Sequence, residues 1–84
     1  MATYPAQEEI RWRDVDSSNV RKVGWDRDGN MYVLFRDTSL EGKNTLYMYR
    51  SVPRQRVVAA SRAASVGQYI NTHIKPKHPA VRIR

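Results

Sequence analysis

The strongest constraint on how this chain folds is a turn. Asp26-Arg27-Asp28-Gly29-Asn30 follows a run from Val20 and precedes a second run, Met31 to Phe35. The Asp-Gly pair supplies the positive φ that a tight hairpin requires, and Asp and Asn side chains hydrogen-bond their own turn backbone. Val23 and Trp25 share one face of the first run. In the second, Met31, Val33 and Phe35 alternate with Tyr32 and Leu34. That two-residue period is the mark of a strand, and so short a connection predicts that the two strands pair as an antiparallel hairpin.

Arg36 to Asn44 reads as a polar loop, and Thr45 to Tyr49 as a third strand. Sequential strands usually neighbour one another, so a meander is the simplest topology. The period changes at Pro53, which suits the first turn of a helix, with Ser51 as a candidate cap. Pro53, Val57, Ala60 and Ala64 form a narrow small-residue stripe suited to close approach to a sheet, while Arg54, Arg56 and Arg62 point away from it in different directions. A second helix starts at Ser65, where Ser65 and Gln68 make a capping box. Val66, Tyr69, Ile70, His73 and Ile74 fill one of its faces, and Pro76 ends it. The expected fold is therefore α+β: a three-stranded antiparallel meander packed by two C-terminal helices, occupying residues 13–75. Residues 1–12 lack periodicity and read as a flexible arm, with Glu8 to Arg13 as one short turn that tucks Ile10 and Trp12 inward. Residues 76–84 read as a basic tail whose alternating Val81 and Ile83 could add a short fourth edge strand.

A chain of 84 residues without Cys has no disulfide or thiolate site to staple it. A domain of this size buries only about 60% of its unfolded surface, so packing of its aromatic residues matters. No segment approaches the roughly 20 apolar residues that span a bilayer. The first nine residues lack a basic start followed by an apolar run, which predicts a cytoplasmic location without a membrane partner. The net charge is +7 and unevenly placed. Residues 1–41 hold all eight carboxylates against six cations, whereas residues 42–84 hold nine cations and no carboxylate. Set against a merely solubilising surface, this asymmetry points to an anionic partner, with RNA or DNA first and an acidic protein second.

Catalytic and metal chemistry find little purchase. His73 and His78 have no Cys or carboxylate near them in sequence to complete a ligand set. His73 reads as a packing residue and His78 as an exposed tail residue. The aspartates fall mainly in turns, the four glycines are scattered, and there is no Cys nucleophile. The sequence predicts a protein that is not an enzyme, with no cofactor. What remains is aromatic and basic. Tyr47 and Tyr49 share one face of the third strand, with Arg50 directly after. Either they stack bases from an exposed sheet, or they are core beneath the helices. In the second case Tyr32, Leu34, Leu46 and Met48 make an apolar opposite face, to be covered by the N-terminal arm, the tail or a second protein.

Taken in order, Ser17-Ser18-Asn19-Val20, Val23-Gly24-Trp25-Asp26, Val33-Leu34-Phe35, Tyr47-Met48-Tyr49, Val52-Pro53, the run Ala64 to Asn71 and Ile74-Lys75 resemble the KTSC domain. That family is named for the C-terminal extension of some lysyl-tRNA synthetases and also occurs as a stand-alone bacterial or phage protein; its central mark is Tyr-X-Tyr. The resemblance covers about Val15 to Lys75. It implies a small α+β domain, an RNA-binding role as a conjecture, and no catalytic residues. The candidate contacts to nucleic acid or another partner are Tyr47, Tyr49, Arg50, Arg54, Arg62, Lys75, Lys77, Arg82 and Arg84. The alternative is a protein-interaction module, a phage accessory factor or a self-associating domain, working through the apolar sheet face.

Overall fold

The computed structural model describes residues 10–15, 17, 19–36 and 44–83. Its sheet has five antiparallel strands in sequential order: β1 (Arg11–Asp14), β2 (Val20–Trp25), β3 (Met31–Phe35), β4 (Thr45–Tyr49) and β5 (Ala80–Arg82). Between β4 and β5 the chain crosses one face of the sheet as α1 (Arg54–Arg62) and α2 (Val66–Tyr69), the latter continuing as a π-helical segment, Ile70–Ile74. The α+β class and the meander are as the sequence predicts; the short edge strand expected in the tail forms as β5, and the sheet gains β1 at its other edge.

The hairpin turn is closed by Asp26, which is almost fully buried. One carboxylate oxygen accepts the N–H groups of Asp28 and Asn30 at 2.9 and 3.0 Å; the other accepts the Tyr32 hydroxyl at 2.7 Å. Gly29 takes φ +85°, the conformation that the Asp-Gly pair foreshadows. A β-bulge between Val20 and Lys22 brings Val20 and Val23 to the same face despite their odd spacing.

That face carries the main core. Val20, Val23, Met31, Val33 and Tyr49 pack against Val52, Val57, Ala60, Val66, Ile70 and Ile74. Ile70 and Ile74 are wholly buried, each contributing about 1.5–3 kcal/mol. Over four residues an α-turn overshoots a full revolution and the wider π-turn falls short. Joining the two keeps Val66, Ile70 and Ile74 in one file against the sheet.

Three local expectations need correction. Ser51 does not cap α1: it adopts φ 56° in the turn after β4, and Pro53 holds the cap position without a side-chain bond. Ala64 lies beyond the end of α1 and is exposed, as is Pro53, so the buried stripe reduces to Val57 and Ala60. By contrast, the Ser65 hydroxyl accepts from the Gln68 N–H at 3.4 Å, as the capping box predicts. The arm is shorter than expected, because Arg11–Asp14 pairs with β2 instead of forming a turn. The reason is Gly24, opposite Trp12. A Cβ there would stand 2.8 Å from Ile10 Cγ2 and 2.9 Å from the Arg11 carbonyl oxygen, so only glycine lets this strand lie down.

The opposite sheet face is closed by the chain itself. Ile10, Tyr32, Leu34, Leu46 and Met48 form a second buried cluster, with Trp12, Val81 and Ile83 packed against it. The arm and the tail share the covering. The tail strand is real but short, with Val81 opposite Met48. No helix among the described residues is long and apolar enough to cross a membrane.

Candidate functional site

The two tyrosines have different fates. Tyr49 is 1% exposed and belongs to the main core; Tyr47 is half-buried. The open alternative is thus resolved in favour of core for Tyr49, which corrects any reading of it as a stacking platform. Burial, together with Tyr47 beside it, pushes the Tyr49 phenol up to about 12, so it stays neutral at ordinary pH.

Tyr47 and Tyr49 line a cleft of about 430 Å³ with Phe35, Lys75, His78, Pro79 and Ala80. Phe35 and Tyr47 meet edge to face at 5.7 Å between ring centres, and Tyr47 and Tyr49 are 6.4 Å apart at 31°. The Lys75 ammonium stands 5.7 Å from the centre of the Phe35 ring. Arg82 is directly opposite Tyr47 in the β4–β5 ladder and therefore on the same face. The cleft is an aromatic slot with cations at its rim, and no carboxylate lines it among the described residues.

Backbone bonds hold the slot's far wall. The Arg50 N–H donates to the Pro79 carbonyl at 3.1 Å. His78 Nδ1 lies 3.0 Å from the Arg50 carbonyl, which can only accept, so Nδ1 is the donor in that bond. His78 is thus half-buried and structural on one side, not the exposed tail residue expected. His73, as expected, packs: its ring is 4.6 Å from that of Tyr69.

A second cleft, of about 610 Å³, lies at the opposite edge of the same sheet face, between β1, the β2–β3 turn and the start of α1. Arg11, Arg27 and Arg54 line it around Trp25, with Asp26, Gly29 and Val52. The Arg54 guanidinium sits 5.0 Å from the Trp25 ring centre. Two backbone donors tie the β2–β3 turn to the chain that follows β4. The Val52 N–H donates to the Gly29 carbonyl at 2.9 Å and the Ser51 N–H to Asn30 Oδ1 at 3.3 Å.

Of the predicted contact residues, Tyr47, Tyr49 and Lys75 share the first cleft, Arg82 flanks it, and Arg50 and Lys77 are exposed beside it. Arg54 belongs to the second cleft. Arg62, at the end of α1, lines neither. Arg84 lies outside the described residues. Sequence reasoning missed Phe35 and His78 in the first cleft and Trp25, Arg11 and Arg27 in the second. Alternation put Phe35 on the right face; nothing local brings Arg11 beside Arg54, which only strand pairing and the crossover achieve. Among the described residues no group of three His, Cys, Asp or Glu side chains could hold a metal ion.

A five-stranded antiparallel meander with one helical layer and a closed second face is a small α+β domain, and the aromatic slot at its last two strands holds the Tyr-X-Tyr element. The model of the KTSC domain matches residues 16–78, and the chain belongs to that family. Its fold is similar to the crystal structure of a KTSC domain protein from Yersinia pestis, with a TM-score of 0.73 and 25% identity over 89% of this chain and 99% of the other. No curated protein matches it in sequence.

Proposed function

We propose that this domain is a non-catalytic nucleic-acid-binding module that takes single-stranded RNA in preference to DNA. The observation that carries the reading is the first cleft: half-exposed Tyr47 and Phe35 in a slot lined by Lys75 and His78 and flanked by Arg82, with no carboxylate among its described lining residues to repel a phosphate. One unpaired base would lie against the Tyr47 ring, while Arg50, Lys75, Lys77 and Arg82 contact flanking phosphates. The preference for RNA, a bacterial or phage setting and a cytoplasmic location all draw on the resemblance to the lysyl-tRNA synthetase extension and form part of the same proposal. The alternative, a protein-interaction module using the outer sheet face, loses its chief motive, because Ile10, Trp12, Val81 and Ile83 cover that face.

Fluorescence anisotropy with short labelled RNA and DNA strands over a range of salt tests this. Log K should fall with log salt by about 0.7 for each neutralised phosphate. Lys75→Ala and Arg82→Ala should each flatten that slope by about 0.7, whereas Tyr47→Ala should weaken binding by about 1–3 kcal/mol at unchanged slope. Absence of binding to any strand at low salt would sink the reading.

A further inference from the structure

Three arginines far apart in sequence converge on the second cleft. Arg11 opens β1, Arg27 lies in the β2–β3 turn and Arg54 opens α1. Register sets Arg11 directly opposite Trp25, and Arg54 lies over the Trp25 ring. Asp26 is the one carboxylate among the described lining residues, and it is already engaged. Its Oδ1 accepts from Asp28 and Asn30 N–H, and its Oδ2 from the Tyr32 hydroxyl at 2.7 Å and the Asn30 amide at 3.3 Å. The three arginines therefore line one concave surface with no free carboxylate among the described lining residues to bridge them. Like charges gathered in a cleft raise the local potential and draw in an anion.

We propose that this cleft binds a phosphate monoester or pyrophosphate group. The planar guanidinium fork matches phosphate oxygens two at a time, which ammonium groups do not do. The contact with Trp25 already holds the Arg54 guanidinium over the ring, so less freedom is lost on binding. Three positive charges favour a group carrying two or more negative charges, a terminal phosphoryl or pyrophosphate, over a backbone diester carrying one. The site does not depend on the aromatic slot, since the two clefts share no lining residue.

The test is a nitrogen-15 NMR titration of the full chain with sodium pyrophosphate, against sodium chloride at matched ionic strength. Saturable shifts should appear at the Trp25 indole and at Arg27, Gly29 and Arg54. Arg11→Ala and Arg27→Ala, both at exposed positions, should each weaken half-saturation by about tenfold or more with spectra still dispersed. Arg54→Lys, which keeps the charge and loses the fork, should also weaken it; Arg62→Ala should not. Shifts that never saturate, that spread equally to Arg62 and Arg82, or that persist unchanged in Arg27→Ala would overturn the proposal. Pyrophosphate binding without RNA binding would leave this cleft standing and remove the nucleic-acid reading. RNA binding with no pyrophosphate site would do the reverse.

Discussion

Replacing Asp26 tests whether the hairpin that organises the sheet depends on one buried carboxylate. Asp26 is 7% exposed and accepts four hydrogen bonds, two from turn N–H groups, one from the Asn30 amide and one from the Tyr32 hydroxyl. The bond from the buried Tyr32 to a charged acceptor is worth about 1.5–3 kcal/mol, and each partly buried turn N–H, which can turn to water, about 0.5–1.5 kcal/mol. Asp26→Ala should therefore cost about 3–5 kcal/mol. At about 4–8 °C per kcal/mol for a domain of this size, the Tm falls by roughly 12–40 °C. Asp26→Asn keeps an oxygen for the two N–H groups and loses the charge, so about 1–2 kcal/mol is expected. Burial alone would raise this carboxyl, but the hydrogen bonds from Asn30, Tyr32 and Asp28 outweigh it and hold it below the ordinary 3.8. The native state thus favours the ionised form. Its stabilisation is complete above about pH 3.8 and is lost as pH falls through the lower native value. Urea unfolding followed by Trp fluorescence at a series of pH values checks both points. The gap between the native chain and Asp26→Asn should stand at neutral pH and close in acid. Equal stability of the Ala and Asn variants, or a gap that ignores pH, would refute the reasoning.

Gly24→Ala should destabilise by about 1–3 kcal/mol in thermal unfolding, because the new Cβ meets the Arg11 carbonyl at 2.9 Å, a backbone atom that cannot swing aside. Ultraviolet titration of the native chain against Tyr49→Phe should assign a phenol ionising at about 12 to Tyr49. Since the native phenol is raised from 10.0, stability should be full below pH 10 and fall as pH rises toward 12. Val81→Asp, placing a carboxylate opposite Met48 over the outer cluster, should cost about 2 kcal/mol or more and expose apolar surface to a hydrophobic dye.

The local elements were legible because each has a local cause. Asp-Gly makes the β2–β3 turn, alternation makes β3 and β4, and Ser65 with Gln68 starts α2. The tail's edge strand was foreshadowed by the alternation of Val81 and Ile83, but the N-terminal edge strand was not, because its cause lies elsewhere in the chain. Nothing in Arg11–Asp14 alternates strongly, and it becomes a strand only because Gly24 leaves room for it. Tyr47 and Tyr49 show the same division. Their shared face follows from the two-residue period, but which of them is covered depends on where Ile70 and Ile74 come to rest. The charge asymmetry was plain in composition, and composition assigned it to the second half. Folding redistributed it: Arg54 left the tyrosines for Trp25, where it joins Arg11 and Arg27 from the acidic half. Sequence alone determined the hairpin, the order of elements and the family, since these rest on neighbouring residues and their spacing. The closed outer face and the arginine cleft were decided only in three dimensions, because each is made by segments that meet through strand pairing and a crossover, at separations no local pattern records.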